Sequence, residues 1–208
     1  MKHIGLVLAA LVLLVAGCGD DGDDAADDTT TTSPPTTTGV TTTSVPVGEE
    51  ADVRVYFAWN EYVGTAGRTV EAPAVARGAL AELLAGPDAF ETDIGMTTEI
   101  PEGTELLGVD IADGEATVDL SGEFQSGGGS LSMQLRVAEV VFTLTQFDTV
   151  ETVSIELDGE AVDAIGGEGV DATDLTRADL TNVTPFILVE SPVPGETVTS
   201  PLEVTGID

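Results

Sequence analysis

Residues 104–120 show the clearest alternation of hydrophobic and polar positions in the chain. The alternation runs on both sides of the dipeptide Asp113-Gly114, which is typical of a two-residue hairpin turn. Two groups of three apolar residues each share one face of a strand: Leu107, Val109 and Ile111 before the turn, and Ala116, Val118 and Leu120 after it. The pattern therefore predicts a β-hairpin with one apolar face, and that face needs a layer of helices to cover it.

Two stretches on either side of this hairpin have apolar residues at helical spacing. The first predicted helix runs from about 73 to 85, with Pro73 in its opening turn and Gly86-Pro87 after its end. The second predicted helix runs from about 131 to 147, with Ser130 as its cap.

Strands are predicted before the first helix and after the second. Residues 52–59 and 151–157 alternate in the same way, and the turn Asp158-Gly159 leads into a short return strand. The order is therefore β-α-β-β-α-β plus that return strand. This order predicts an α+β fold, a two-layer sandwich in which two helices lie on one face of a small mixed sheet.

The second predicted helix carries a polar stripe and a broad apolar arc. The arc is wider than one sheet face needs, so either ordinary burial or contact with another subunit explains it. The polar stripe is the candidate partner surface: Arg136, Glu139, Thr143 and Gln146.

An aromatic cluster lies at the end of the first predicted strand, where Trp59 is followed by Tyr62. A sugar-stacking platform is one interpretation. An aromatic end to a core strand is the favoured one, because the alternation continues as far as Trp59.

The N-terminus has the features of an export signal. A basic start precedes an apolar run, residues 4–15, that is too short to span a bilayer about 30 Å thick. The run ends in Leu14-Val15-Ala16-Gly17-Cys18, which resembles the lipobox of bacterial lipoproteins. We therefore predict a signal peptide at residues 1–17, cleavage between Gly17 and Cys18, and lipid attachment at Cys18. This attachment would hold the protein at the extracytoplasmic face of the cell membrane.

Residues 18–50 are rich in aspartate, threonine and proline and contain too few apolar residues to form a core. A disordered stalk is the expected structure of such a segment. Its acidic run, residues 20–28, lacks the ligand spacing of a calcium-binding EF-hand loop, so no metal site is predicted there.

The chain after residue 17 contains no lysine and no histidine, and its single cysteine is the predicted lipid attachment site. Serine or cysteine triads and histidine-zinc sites are therefore excluded. Residues 51–208 contain 30 acidic residues and five arginines, a net charge of −25. Such a surface repels nucleic acid, so no nucleic-acid partner is predicted.

No arrangement of residues predicts a cofactor site or an enzyme. The glycine-rich run 126–130 lacks the lysine and the spacing of a phosphate-binding loop. An alternative function is a carbohydrate-active enzyme with paired carboxylates, for which Glu99, Glu102 and Glu105 are the nearest candidates. A second alternative is a solute-binding lipoprotein, although the usual two-lobed receptor needs more than one domain of this size.

Four stretches resemble the GerMN domain, which is named from sporulation and germination proteins. They are residues 83–87 (LLAGP), 100–121 (IPEGTELLGVDIADGEATVDLS), 135–147 (LRVAEVVFTLTQF) and 153–162 (VSIELDGEAV). The resemblance implies a non-catalytic α/β module, similar in architecture to the ring-building domains of envelope-spanning assemblies. It also implies binding to an envelope protein or to further copies of the chain, with no catalytic residues.

The last residues resemble a different module. Residues 184–208 are similar to the opening of an immunoglobulin-like domain that follows GerMN domains in some lipoproteins. Such a sandwich needs about 100 residues. We therefore predict a GerMN-like domain at 51–183 and a truncated start of an immunoglobulin-like domain at 184–208, with no core of its own. Taken together, the sequence predicts a lipid-anchored envelope protein with a protein-binding or scaffolding domain.

Overall fold

The computed structural model describes residues 48–167 and 169–208. The predicted signal peptide, Cys18 and most of the predicted stalk lie outside these residues. The described residues belong to one compact unit. None of their helices has the length and apolarity that crossing a membrane requires.

The first sheet begins with a hairpin of two ten-residue strands, β1 (Glu50–Trp59) and β2 (Tyr62–Glu71). The strand β2 was not predicted from the sequence. Its turn is Asn60-Glu61, and both residues have positive φ, 52° and 67°, although neither is glycine. The short strand β3 (Met96–Thr97) pairs with the other edge of β1, which gives the order β2-β1-β3.

The second sheet contains the predicted hairpin, now β4 (Leu106–Ala112) and β5 (Glu115–Leu120). It continues through β6 (Thr152–Leu157) and the return strand β7 (Glu160–Ala161). The order is β4-β5-β6-β7, and β5 and β6 are parallel while the other neighbours are antiparallel. The α+β class and the mixed sheet are confirmed, but the strands form two main sheets rather than one.

A register shift at the start of β4 changes which leucine packs inside. Leu106 pairs with Leu120 and packs against the core, whereas Leu107 is 45% exposed. The alternation predicted Leu107 on the apolar face, and the β-bulge is the reason that this prediction is wrong.

The described residues form three helices, α1 (Val75–Ala85), α2 (Ala89–Asp93) and α3 (Ser130–Leu144). Pro73 precedes α1, and Ser130 is the first residue of α3, because the cap position belongs to Gly129. The short strands β8 (Ala164–Ile165), β9 (Val170–Asp171), β10 (Leu188–Ser191) and β11 (Thr205–Ile207) complete the fold in two separate pairs. Two 3₁₀ turns, Gly122–Gln125 and Arg177–Leu180, lie between these elements.

The helix α3 lies at the centre of the domain. It contacts β1, β2, β6 and α1. Eleven of its last twelve residues are buried, and the other, Gln134, is half-buried. A helix that is covered all round needs apolar residues all round. The broad apolar arc is therefore explained by burial within the domain, not by a second subunit.

Candidate functional site

The polar stripe of α3 faces the inside of the domain. Arg136, Glu139 and Thr143 are 2%, 0% and 0% exposed, and Gln146 is half-buried. Side chains that are inaccessible to solvent cannot form a surface for a partner. The prediction of a partner surface on this stripe is therefore wrong.

Instead, side chains of the stripe form hydrogen bonds to backbone groups at the outer edge of β1. The Gln146 side chain accepts a hydrogen bond from the backbone N–H of Arg54 at 2.7 Å and donates one to the Arg54 carbonyl at 2.6 Å. Thr143 Oγ1 accepts from the N–H of Tyr56 at 3.2 Å. Outward backbone groups recur about every 6.7 Å along a strand, and helix residues three or four apart are separated by about 4.5 to 6 Å. The helix thus takes the place of a neighbouring strand.

Glu139 bonds in the same way to the residues that follow β3. Together, we call these hydrogen bonds from the polar stripe the seal. The Glu139 carboxyl group accepts hydrogen bonds from Thr98 Oγ1 at 2.7 Å and from the Glu99 N–H at 2.9 Å. Burial raises the pKa of Glu139 to about 8, although both hydrogen bonds act to lower it. No salt bridge joins Glu139 to an arginine within the described residues. Glu139 is therefore largely protonated at neutral pH.

Arg136 ties two loops to α3. Its Nε donates to the Glu99 carbonyl at 2.8 Å, and its Nη1 donates to the carbonyls of Phe124 and Ser126. Burial lowers the pKa of Arg136, but a guanidinium remains charged at any ordinary pH. All its observed contacts are with this chain, so the role of Arg136 is structural.

The three carboxylates of the alternative enzyme do not converge. Glu99 is half-buried and accepts a hydrogen bond from Ser132 Oγ at 2.6 Å, whereas Glu102 and Glu105 are exposed. Glu99 lines one of three cavities in the described part of the chain, and neither Glu102 nor Glu105 lines any of those three. A glycosidase needs two carboxyl groups facing each other across the scissile bond. The structure does not bring such a pair together from these residues.

An apolar groove runs between the β1–β2 hairpin and the chain around β10. Its volume is about 460 Å³, and we call it the β2 groove. Trp59 and Tyr62, at its rim, are 37% and 44% exposed. Trp59 Nε1 donates to the Ile94 carbonyl at 3.0 Å, which fixes the indole ring. The remaining lining residues include three prolines and several aliphatic residues: Asn60, Val63, Gly64, Thr65, Pro185, Ile187, Leu188, Val189, Pro192, Val193 and Pro194.

One polar group in the lining of the β2 groove has no partner. Thr65 is only 3% exposed, and its Oγ1 has no hydrogen bond within the described residues. A buried hydroxyl without a partner costs free energy, so such groups are rare and are typical of sites that receive a ligand or water.

The far wall of the groove is held to the core by an ionic network. Arg177 Nη1 lies 2.8 Å from Glu190 Oε1, and the Tyr56 hydroxyl donates to the same carboxylate. The Arg177 guanidinium also lies over the rings of Tyr56 and Phe142, at 5.3 and 4.7 Å from their centroids. Burial raises the pKa of Tyr56 to about 12. Burial alone would raise the pKa of Glu190, but the hydrogen bonds from Tyr56 and Arg177 keep that pKa below its ordinary value.

Close packing brings the same wall against β2. A Cβ atom added at Gly67 would lie 2.9 Å from Val193 Cγ2, so a glycine at this position lets Val193 approach the strand. Leu188 is 3% exposed and belongs to the main core, whereas Phe186 and Ile187 are 97% and 73% exposed. The predicted domain boundary at residue 184 stays a prediction, but part of the segment beyond it packs on the domain.

A second cavity, of about 910 Å³, is lined by charged as well as apolar side chains. Arg68 binds both carboxylate oxygens of Glu91 at 2.6 and 2.7 Å, and this pairing raises the pKa of Arg68. Arg54 Nε has no hydrogen-bond partner among the described residues. No group of acidic residues in this part of the chain is arranged to hold a metal ion.

The surface of the domain is strongly acidic. Residues 48–208 contain 32 acidic residues and five arginines. Four of these arginines are at least half-buried, and Arg77 is the exposed one. A binding surface on this domain therefore lies in a negative field, which favours a positively charged partner.

Comparison with known proteins connects this fold to a family. The Germane family model, described as "Sporulation and spore germination", matches residues 54–163. The chain belongs to this family. The Germane match includes the hairpin side of the β2 groove but ends before its far wall, residues 185–194. The resemblance to GerMN domains in the sequence is thus confirmed.

Two solved structures from Bacillus subtilis have the Germane fold. The first GerMN domain of the sporulation protein GerM is 27% identical, with a TM-score of 0.50, and the alignment covers 62% of this chain and 98% of that domain. The tandem GerMN domains of GerM are 26% identical, also with a TM-score of 0.50, covering 62% of this chain and 47% of that one. This chain therefore spans about half of the tandem structure. No curated protein sequence matches the chain significantly.

Proposed function

We propose that this chain is a lipid-anchored envelope protein whose Germane domain binds another protein through the β2 groove. The groove is the observation that carries the proposal, because it is concave, mostly apolar and rimmed by exposed Trp59 and Tyr62. Tryptophan and tyrosine are the residue types that most often dominate binding energy at protein interfaces. The groove contains no set of reactive side chains, so binding is a better explanation for it than catalysis.

The partner segment is expected to be extended, with apolar side chains and flanking basic residues. A groove of about 460 Å³ holds a few side chains rather than a folded domain. The apolar lining selects the side chains that enter it, and the acidic surface around it selects the charge of the flanks.

The anchor in this proposal is Cys18, at the end of the lipobox-like sequence. Residues 18–50 would allow the domain to search a volume next to the membrane, since about 30 residues correspond to about 30 Å as a coil and about 100 Å when extended. Labelling with a palmitate analogue should mark the wild-type chain. The Cys18→Ser variant should be unlabelled and should leave the membrane fraction.

Photo-crosslinking from the full chain in its native membranes tests the groove. A photoreactive amino acid at Tyr62 should capture a distinct protein, and the same amino acid at Glu102, an exposed residue outside the groove, should not. Capture should decrease when salt is raised from about 0.1 M to about 0.5 M, because screening weakens attraction between opposite charges. If Tyr62 and Glu102 capture the same proteins in equal amounts, the groove is not the binding site.

A further inference from the structure

The outer edge of β4 is an unpaired strand edge. In the order β4-β5-β6-β7, β4 pairs with β5 alone. The two-residue turn at Asp113-Gly114 makes Ala112 and Glu115 a hydrogen-bonded pair, so the backbone groups of Val109 and Ile111 point away from β5. Across residues 48–167 and 169–208, no backbone group bonds to that outer side.

This edge has few of the features that normally prevent strand pairing. Residues 106–112 contain no proline, lysine or arginine, and their one charged residue is Asp110. The register shift lies between Leu106 and Gly108 and leaves the rest of the strand regular. Leu107 and Ile111 are 45% and 37% exposed, so two large apolar side chains flank the open edge.

The sequence of β4 is complementary to itself in one antiparallel register. If two copies pair about Val109, then Val109 lies opposite Val109 of the second copy, and Ile111 reaches the bulged position 107. The outward backbone groups of the two Val109 residues then meet, because Val109 lies in the regular part of the strand. Asp110 lies opposite Gly108. A shift of the centre to residue 110 would instead place Asp110 opposite Asp110.

We propose that β4 pairs with β4 of a second copy of this chain about a twofold axis, which joins two four-stranded sheets into one. A twofold interface needs a patch that is complementary to itself, and β4 meets this requirement in both side chains and backbone. The proposal goes beyond binding at the β2 groove, since β4 and the groove belong to different sheets.

The net charge of the domain predicts an unusual salt dependence for this pairing. Two copies repel each other, because each carries 32 acidic residues and five arginines in residues 48–208. Salt screens this repulsion and has little effect on the apolar and backbone contacts. Added salt should therefore strengthen the pairing of β4, whereas it should weaken the binding of a basic segment in the groove.

Sedimentation velocity on the full chain, solubilised from membranes, tests the proposal. The dimer fraction should rise when salt is raised from about 0.05 M to about 0.5 M. Two substitutions at residue 108 should then change the dimer fraction in opposite directions. Gly108→Lys faces Asp110 of the second copy and should tighten the dimer about tenfold, and Gly108→Asp should weaken it about tenfold, since each substitution acts twice across the axis. A Cβ at residue 108 meets Asp119 Cβ at 3.7 Å, an ordinary contact, so both variants have room to fold.

Disulfide trapping tests the register. Val109→Cys should form a disulfide-linked dimer, since its Cα atoms would lie about 5.5 Å apart. Ile111→Cys should not form one. In this register residue 111 lies opposite residue 107 of the second copy, so the two cysteines would be four residues, or about 13 Å, apart along the strands. Ile111 is the more exposed residue, so random encounters would favour the opposite result. The wild type controls for linkage through Cys18.

A chain that stays monomeric in all salt concentrations, or that crosslinks more readily through residue 111 than through residue 109, would overturn the proposal. The variant Trp59→Ala distinguishes pairing through β4 from binding at the β2 groove. This variant should keep the dimer and lose the partner captured from Tyr62.

Discussion

The outer edges of β1 and β4 face the same physical problem and show opposite solutions. Both strands carry backbone groups that point away from their hairpin partners. At β1, side chains of α3 and of the turn after it bond to these groups, and at β4 nothing in the described residues does. The comparison teaches that this domain seals one edge with polar side chains that it buries, and leaves another edge free while exposing apolar residues beside it.

Removing the seal at β1 should have the largest effect. The double substitution Thr143→Val and Gln146→Leu leaves the Tyr56 and Arg54 backbone groups without partners. We expect a loss of about 3 kcal/mol in the free energy of unfolding, measured by denaturant titration. Thr69→Val is the matched control, since its exposed hydroxyl bonds to Asp52 on the surface, and it should cost less than about 0.5 kcal/mol. Equal losses in both variants would mean that the seal contributes nothing special.

Glu139 makes the seal sensitive to pH. Its pKa in the folded state, about 8, is above the ordinary value of 4.5, so the folded state binds the proton more tightly than the unfolded state does. Stability should therefore be highest below about pH 4.5, as far as this group is concerned, and should fall as pH rises from about 4.5 to about 8. Glu139→Gln, which stays neutral, should be more stable than wild type at pH 6 by about 2 kcal/mol. Parallel pH profiles for both proteins would contradict this.

The edge of β2 lies between these extremes, because one outward group, the Val63 N–H, donates to the Val183 carbonyl at 2.9 Å, while Val193 packs over the face at Gly67. Gly67→Ala should cost about 1 kcal/mol, since the new methyl group would lie 2.9 Å from Val193 Cγ2. Val193→Ala should reduce that cost, and a double-mutant cycle measures the difference. If the two substitutions are simply additive, Val193 does not limit the space at residue 67.

The open edge of β4 should tolerate change with the smallest effect on folding. Ile111→Thr should alter the free energy of unfolding of the monomer by less than about 0.5 kcal/mol, because the side chain is 37% exposed. Val118→Thr, on the neighbouring strand and fully buried, should cost at least about 1 kcal/mol. Denaturant titration at low protein concentration and low salt isolates the monomer. Similar costs at both positions would show that the edge is not open.

The sequence predicted the parts of the fold whose signal is local. The hairpin of β4 and β5 has strict alternation and an Asp-Gly turn, and both flanking helices have regular apolar spacing. The strand β2 was missed because Gly64 and Gly67 interrupt its pattern and because the turn Asn60-Glu61 contains no glycine. The bulge at the start of β4 has no local signal, so Leu106 and Leu107 were assigned to the wrong faces.

The candidate site depended on contacts that the sequence does not record. The spacing of the polar stripe was visible, but its partners are backbone groups about 90 residues earlier, and backbone groups have no sequence signature. The far wall of the β2 groove was assigned to another module. Its attachment to the domain depends on Arg177, Glu190 and Tyr56, three residues whose proximity follows only from the folded chain.

The position of β1 also has a mechanical consequence. The chain enters the described domain at Gly48, directly before β1, and β1 is bonded to β2 on one side and to α3 and β3 on the other. A pull from the N-terminal side is therefore directed along a strand that is held laterally on both flanks. Bonds perpendicular to such a pull must yield together rather than in succession, so the domain presents its most resistant element to any tension that reaches it from that direction.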